Sequence, residues 1–293
     1  MIHIWLYIDT VDSMKSEGIS MKAIVNTSVC SMMAKPTWES TVVDEALYGM
    51  VVDILSEPAE GWYKIRTHYR YEGIVNADDL IVGDDAAAAW EKRPKKVIRN
   101  KNFCDVLSEP KVQGWHLADL ARGCVVAPVE EAQDGWQKVQ LADGRMGYVP
   151  EAILGEYYTA PLSEDEDTLR KALVDAAMLY QGTHYRWGGK SPAGIDCSGL
   201  VGMAYMLCGV LIYRDAEIRE DFPLREIKLE NIKPGDAIFF PGHVAMYIGE
   251  GRYCHSTAKA GDNGFTINSL NPDDPDYRAD LKEKITQVGS YFA

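Results

Sequence analysis

Apolar and polar residues alternate with a period of two over most of the first half of the chain, which is the spacing of half-buried β-strands. Two stretches, residues 22–83 and 97–154, repeat this pattern. Each contains a Gly-Trp step that opens a strand, then a turn and a second strand that ends in Gly-hydrophobic-Val. The repeats predict two copies of one small all-β unit.

The segments that follow each repeat predict the domain boundaries. The stretch from the alanine run Ala86–Ala89 through Arg93-Pro94 is interpreted as the linker between the units. The acidic stretch 161–167 is interpreted as the boundary after the second unit. Trp62 and Trp136, which follow the repeated glycines, are expected in the cores of their units.

The apolar period lengthens to about 3.6 residues after this boundary, which predicts helices. One helix is expected over Thr168–Gln181, with a favourable run of acids before it. A second helix should begin near Cys197 and stop at Gly209. Residues 236–256 have the pattern of β-strands. The sequence therefore predicts an α+β domain over residues 165–293.

The charge and hydropathy of the chain exclude some partners. Its 293 residues carry a formal net charge of -14. Such a surface disfavours nucleic acids and anionic membranes, because phosphate binding needs a basic face. No run approaches the roughly 20 apolar residues of a membrane span. We expect neither a nucleic-acid nor a membrane partner; the sequence leaves the oligomeric state open.

The cysteines and the first residues bear on compartment and cofactors. Six cysteines are scattered without the close spacing of a disulfide framework or a zinc site, so we expect no metal and no cofactor. The start, Met1–Asp9, lacks a basic leader and a cleavage site, which favours the cytoplasm. A misassigned start, with Met21 as an alternative, would leave a secreted or periplasmic protein possible.

Cys197 differs from the other cysteines because it stands at the predicted start of a helix, between Asp196 and Ser198. Backbone N–H groups and the helix dipole at such a position stabilise a thiolate and lower its pKa. Cys208 lies on the apolar stripe of the same helix and is expected in the core. Cys197 is therefore the candidate nucleophile.

A nucleophilic thiol needs a base, and the base needs an orienting partner. If the predicted hairpin is centred on Gly249, His243 and His255 lie directly opposite each other and share a face. A shift of register by one residue would separate them. His243 is the candidate base and His255 the candidate orienting residue.

Five sequence blocks in order resemble the signatures of the NlpC/P60 family of cysteine peptidases. They are Tyr185-Arg186-Trp187-Gly188-Gly189, Asp196-Cys197-Ser198-Gly199-Leu200, Tyr213-Arg214-Asp215-Ala216, Lys233 to Phe240, and Gly242 to Gly249. The two preceding units resemble bacterial SH3-like barrels, an arrangement similar to the YkfC-type γ-D-glutamyl-L-diamino acid endopeptidases. The resemblance implies a papain-like fold, a Cys-His-His triad and a murein peptide (L-Ala-γ-D-Glu-diamino acid) as substrate.

The resemblance also implies roles for five further residues. Tyr185 would stand near the oxyanion, with a packed aromatic as the alternative. Asp196 and Ser198 would contact the D-glutamyl part, or only cap the helix. Asp215 would hold the free amine of L-alanine together with Tyr71 from the first unit, or be a surface charge.

One position departs from the family pattern. An acid follows the Leu-Tyr-Gly block in that group, whereas Met50 follows it here. Two other functions stay open: a wall-binding module with a degenerate peptidase, and a thiol amidase or acyltransferase on the same fold. The diamino acid can be diaminopimelate or lysine.

Overall fold

The structure is a computed structural model that describes residues 21–293. The segment Met1–Asp9, on which the expectation about export rests, lies outside the described residues. Among residues 21–293, no helix has both the length and the apolar character needed to cross a membrane. These residues form two seven-stranded sheets, one six-stranded sheet and one two-stranded sheet.

The first sheet is antiparallel, with strand order β3-β2-β6-β5-β4-β1-β7. Its turns form where the backbone can take a positive φ, as at Gly61 (φ 74) in the hairpin between β4 and β5. The strands are β1 (Met21–Val25), β2 (Val29–Met33), β3 (Val42–Leu47), β4 (Val51–Ala59), β5 (Trp62–Thr67), β6 (Glu72–Asn76) and β7 (Leu80–Val82).

The second sheet has the same strand order, β10-β9-β13-β12-β11-β8-β14. The internal repeat predicted from the sequence is therefore present in the topology. The SH3-like character of both units, and their boundaries at residues 22–83 and 97–154, stay predictions. The strands are β8 (Lys96–Ile98), β9 (Phe103–Leu107), β10 (His116–Ala121), β11 (Val125–Pro128), β12 (Trp136–Gln140), β13 (Met146–Pro150) and β14 (Leu154–Glu156).

The segment predicted as the linker contains a helix, α1 (Asp84–Glu91), which forms because alanine has the highest helix propensity and two acids stand in the first turn. One expectation about these units is wrong, because Trp62 and Trp136 are only partly buried. In β5 the alternate residues Tyr63 and Ile65 fill the core instead, with 1% and 0% exposure.

The last part of the chain packs helices against an antiparallel sheet of order β17-β22-β18-β19-β20-β21. This α+β arrangement fits the papain-like fold implied by the resemblance. The helices are α2 (Glu166–Met178), α3 (Cys197–Met206) and α4 (Ala279–Lys282). The strands are β15 (Lys190–Ser191), β16 (Gly194–Ile195), β17 (Arg225–Ile227), β18 (Ala237–Phe240), β19 (His243–Gly249), β20 (Arg252–Thr257), β21 (Gly264–Ser269) and β22 (Gln287–Ser290).

Helix α3 is central to this part, because it packs against α2 on one side and against β19 and β20 on the other. Its apolar stripe is buried, including Cys208 at 0% exposure, as the sequence predicts. The chain turns away at Gly209, whose φ of 80 suits glycine. The packing brings the first residue of α3 next to the strands that carry the histidines.

Candidate active site

Cys197 is the first residue of α3, and its neighbour Asp196 caps the helix. Asp196 Oδ1 accepts a hydrogen bond from the Gly199 N–H at 2.6 Å, and Asp196 Oδ2 accepts one from the Gly188 N–H at 2.9 Å. A side chain at Gly199 would meet the Gly189 carbonyl oxygen at 2.1 Å, so only glycine fits there. The capped start of α3 is thereby held against the preceding loop.

The two histidines are joined by a hydrogen bond, with 2.7 Å between His243 Nε2 and His255 Nδ1. His255 is fully buried, and its Nε2 lies 2.9 Å from Asn268 Oδ1. Asn268 Nδ2 donates to the Asp276 carbonyl at 2.8 Å, which fixes the orientation of the amide. Asn268 was missed by sequence reasoning, because it lies on β21 outside the signature blocks.

This chain of hydrogen bonds assigns the protons of the neutral histidines. Because Asn268 Oδ1 can only accept, His255 Nε2 carries a hydrogen and His255 Nδ1 accepts. His243 Nε2 must then donate to His255, which leaves the lone pair of the His243 ring on Nδ1. A proton can therefore be accepted by His243 at Nδ1, as the predicted role of a base requires.

The register of the histidine hairpin differs from the prediction. The pairs Met246–Cys254 and Tyr247–Tyr253 centre the turn on Glu250 rather than Gly249. Continued along the strands, this register places His255 opposite Ala245, so His243 is its diagonal neighbour. The shared face survives, because the partner shifts by two residues and the side-chain period is two.

Burial controls the protonation of the central groups. Burial and the nearby Asp196 carboxylate raise the pKa of the Cys197 thiol to about 11, although two backbone N–H groups oppose the rise. Burial lowers the pKa of His243 to about 3 and that of His255 to about 4. The expected low pKa of Cys197 is therefore wrong. With 7% exposure, the thiolate loses more hydration than the helix N-terminus restores.

Six of the predicted site residues line one cavity of about 490 Å³. They are Tyr71, Tyr185, Asp196, Cys197, Ser198 and Asp215. His243 directly follows Gly242, which also lines the cavity, and His255 lies buried beyond His243. The structure thus brings all eight predicted residues together, and their individual roles towards a substrate stay predictions.

Tyr185 occupies the wall of this cavity next to Cys197. Burial and the charges of Cys197 and Asp196 raise the pKa of its phenol to about 12. The phenol therefore keeps its proton at neutral pH and can donate a hydrogen bond into the cavity.

The first sheet contributes Val43 and Tyr71 to the lining of the cavity. The Tyr71 hydroxyl lies 3.1 and 3.2 Å from the two carboxylate oxygens of Asp215. Met50 does not line the cavity; it is buried, with its sulfur 3.4 Å from the Leu47 N–H. A second acid, Glu217, does line it and was missed by sequence reasoning.

Arg214 connects the residues on either side of Cys197. Its Nη1 donates to Asp196 Oδ1 at 3.1 Å and to Ser198 Oγ at 2.7 Å, while its Nη2 donates to Asp196 Oδ2 at 3.0 Å. The sequence analysis names this arginine only as part of a signature block and predicts no role for it. Its buried position gives Asp196 and Ser198 a common anchor.

Comparison with known proteins places the chain in a family. The model of the NlpC/P60 family matches residues 182–276. A protein of Lysinibacillus sphaericus named dipeptidyl-peptidase 6 is 42% identical over 278 residues, which cover 93% of this chain and 100% of the relative. A Bacillus cereus protein named gamma-D-glutamyl-L-lysine dipeptidyl-peptidase is 36% identical over 92 residues, or 29% of this chain and 27% of the relative.

A solved structure shares the fold over nearly the whole chain. The crystal structure of an NlpC/P60 family protein from Bacillus cereus superposes with a TM-score of 0.75 at 19% sequence identity. The match covers 93% of this chain and 100% of that one, so it includes both N-terminal sheets. Together with the full-length relative, these matches show that the chain is a peptidase of the NlpC/P60 family.

Proposed function

We propose that the protein is a cysteine peptidase that hydrolyses the γ-D-glutamyl-L-diamino acid bond of murein peptides whose L-alanine amine is free. The observation that carries this proposal is the hydrogen-bonded chain His243–His255–Asn268 next to a cavity that Cys197 lines together with the bonded pair Tyr71 and Asp215. The relatives named as dipeptidyl-peptidases support the same class of bond.

The proposed reaction begins with proton transfer. Because thiol and imidazoles are neutral at rest, the Cys197 thiol gives its proton to His243 as the sulfur attacks the γ-carbonyl of D-glutamate. The Cys197 backbone N–H and the Tyr185 phenol donate to the oxyanion of the tetrahedral intermediate. His255 accepts from His243 Nε2 and stabilises the imidazolium that forms.

Collapse of the intermediate breaks the amide bond. The nitrogen of the diamino acid takes the proton from His243 and leaves, while the L-Ala-γ-D-Glu part stays on Cys197 as a thioester. His243 then deprotonates a water molecule, which attacks the thioester through the same oxyanion site. The products are a dipeptide acid and a diamino acid, and the thiol regains its proton.

The shape and charge of the cavity support the free-amine requirement. Its lining includes the Asp215 carboxylate, the Tyr71 hydroxyl and Glu217. An ammonium group is stabilised beside such groups, whereas an L-alanine still joined to muramic acid has no charge and would collide with the first sheet. A preference for free peptides suits recycling of imported fragments in the cytoplasm.

The two alternative functions make different demands on the site. A wall-binding module with a degenerate peptidase has no need for the hydrogen-bonded chain His243–His255–Asn268, which is present here. A thiol amidase or acyltransferase would use the same nucleophile. The Asp215 carboxylate in the cavity lining favours a substrate with a positively charged terminus over such acyl compounds.

Mass spectrometry of products from defined peptides tests the proposal. We expect the tripeptide L-Ala-γ-D-Glu-diaminopimelate, or its lysine analogue, to yield L-Ala-D-Glu, and intact wall to yield no soluble dipeptide. Cys197→Ala is the control for contaminating activity. Release of any other fragment, or cleavage of intact wall at the rate of the free peptide, would contradict the proposed specificity.

A further inference from the structure

A buried cluster of charges connects the first sheet to the start of α3. Asp44, on β3, is fully buried and uses its two oxygens in different directions. Asp44 Oδ1 accepts from Arg214 Nε at 2.5 Å. Asp44 Oδ2 accepts from Lys190 Nζ at 2.9 Å and from the Tyr69 hydroxyl at 2.6 Å. The other three side chains are 2–4% exposed, so the cluster lies away from solvent.

The guanidinium of Arg214 contacts both the first sheet and the residues beside Cys197. Its Nε edge faces Asp44 of the first sheet, while Nη1 and Nη2 face Asp196 and Ser198 on either side of Cys197. A guanidinium is planar and rigid, so a carboxylate that fixes one edge also fixes the direction of the other donors. The orientation of the Asp196–Arg214 pair thereby depends on a residue more than a hundred positions away in sequence.

The positive and negative charges of this buried cluster also balance between the first sheet and the last part of the chain. Asp44 and Asp196 are the two carboxylates bonded to Arg214, and Lys190 is the second cation on Asp44. Removal of Asp44 would leave two buried cations with one carboxylate. A buried charge that loses its partner rehydrates or moves, and the side chains bound to it move with it.

We infer that Asp44 is a positioning residue of the active site: through Arg214 it holds Asp196 and Ser198 in place around Cys197, so the first unit completes the catalytic domain. Val43, the neighbour of Asp44, lines the cavity from the same strand. The inference concerns the geometry of the site, and only its kinetic test rests on the proposed function.

If Asp44 only stabilised the fold, its loss would affect the active site no more than another change in the same cluster. Tyr69 provides that comparison. Tyr69→Phe removes a hydrogen bond to Asp44 Oδ2 but leaves Arg214 bonded to Oδ1. Both Asp44→Ala and Tyr69→Phe should lower the melting temperature, because each disturbs a buried polar network. Only the loss of Asp44 should disturb the residues around Cys197.

The experiment compares the full-length wild type with Asp44→Ala and Tyr69→Phe at a temperature where all three are folded. For Asp44→Ala we expect kcat/KM on the free tripeptide to fall about tenfold or more, mainly through KM, as for a lost charge-assisted hydrogen bond. For Tyr69→Phe, kcat/KM should stay within about threefold.

Hydrogen exchange gives a readout that needs no substrate. The Gly188 and Gly199 amides, both bonded to Asp196, should exchange at least about tenfold faster in Asp44→Ala and remain protected in Tyr69→Phe. A wild type that cuts no murein peptide would end the proposed function, yet the exchange rates would still decide this inference.

Equal protection of both amides in the two variants, or a fall in kcat/KM that follows the melting temperature in both, would overturn the inference. If Asp44→Ala does not fold, Asp44→Asn replaces it. The amide oxygen can still accept from Arg214 Nε but carries no charge, so kcat/KM should fall by more than about threefold, beyond the change expected for Tyr69→Phe. Activity of Asp44→Asn equal to that of Tyr69→Phe would again overturn it.

Discussion

The position of a cysteine along α3 separates chemistry from packing. Cys197 opens the helix and lines the cavity, whereas Cys208 is fully buried just beyond the helix end. Cys197→Ala should abolish peptide hydrolysis with little change in melting temperature. Cys208→Ala should keep kcat/KM and lower the free energy of unfolding by roughly 0.5–3 kcal/mol. Turnover numbers and chemical denaturation of both variants check this, and an inactive Cys208→Ala with an active Cys197→Ala would reverse the assignment.

The raised pKa of Cys197 makes a prediction about its reactivity. Burial holds this pKa at about 11, so the thiol is protonated at neutral pH and alkylation by iodoacetamide should accelerate continuously from pH 6 to pH 10. Peptide mass spectrometry can follow Cys197 separately from the other cysteines. A rate that is constant between pH 5 and pH 8 would instead reveal a thiolate–imidazolium pair in the resting enzyme.

At the scale of elements, the sequence predicts where helices begin more reliably than the register of strand pairs or the contacts between elements. The start of α3 was predictable, because Asp196 is a capping residue ahead of an apolar stripe. The centre of the histidine hairpin was not predictable. It falls on Glu250, whose φ of 53 lies in the left-handed region that glycine adopts more readily than glutamate. The helix α1 inside the predicted linker is not foreseen from the sequence, because its stability depends on the burial of Ala87 and Trp90, which a short alanine run does not reveal.

The histidine hairpin should make stability depend on pH. Burial lowers the pKa of His255 on β20 to about 4, against about 6.5 in an unfolded chain. Between these values the unfolded chain binds a proton that the folded protein excludes, so the free energy of unfolding decreases as pH falls from 6.5 to 4. The loss for this group is roughly 3 kcal/mol.

Urea denaturation from pH 7 to pH 4 measures this slope. His255→Gln should reduce it, because glutamine cannot gain a proton, while the remaining slope includes the contribution of buried His243. The matched control is His116→Gln, which removes an exposed imidazole instead of a buried one. A slope that is the same in wild type and His255→Gln would mean that other groups cause the acid sensitivity.

At the scale of the whole molecule, the active site is assembled from both ends of the chain. The first sheet contributes Val43 and Tyr71 to the cavity wall, and the signature blocks contribute Cys197 and Asp215. Sequence analysis could propose Tyr71 through a family resemblance. It could not find Asp44, Asn268 or Glu217, because their roles depend on contacts between segments that no local period encodes. The departure from the family pattern at Met50 lies outside the cavity lining, since that side chain is buried away from the cavity.

The part of the cavity lined by Tyr71 and Asp215 makes a prediction about the proposed free-amine requirement. Asp215 is exposed and bonded to Tyr71, so its attraction for an ammonium is screened by solvent and should contribute roughly fivefold in kcat/KM. N-acetylation of the tripeptide removes the charge and adds bulk against the first sheet, so it should lower kcat/KM by more than this factor. In Asp215→Asn the gap between free and acetylated peptide should shrink, because only the steric part remains. Glu217→Gln is the matched variant on the same wall. If Glu217→Gln closes the gap and Asp215→Asn does not, the second acid binds the amine, and equal rates on both peptides in the wild type would show that this end of the cavity is open.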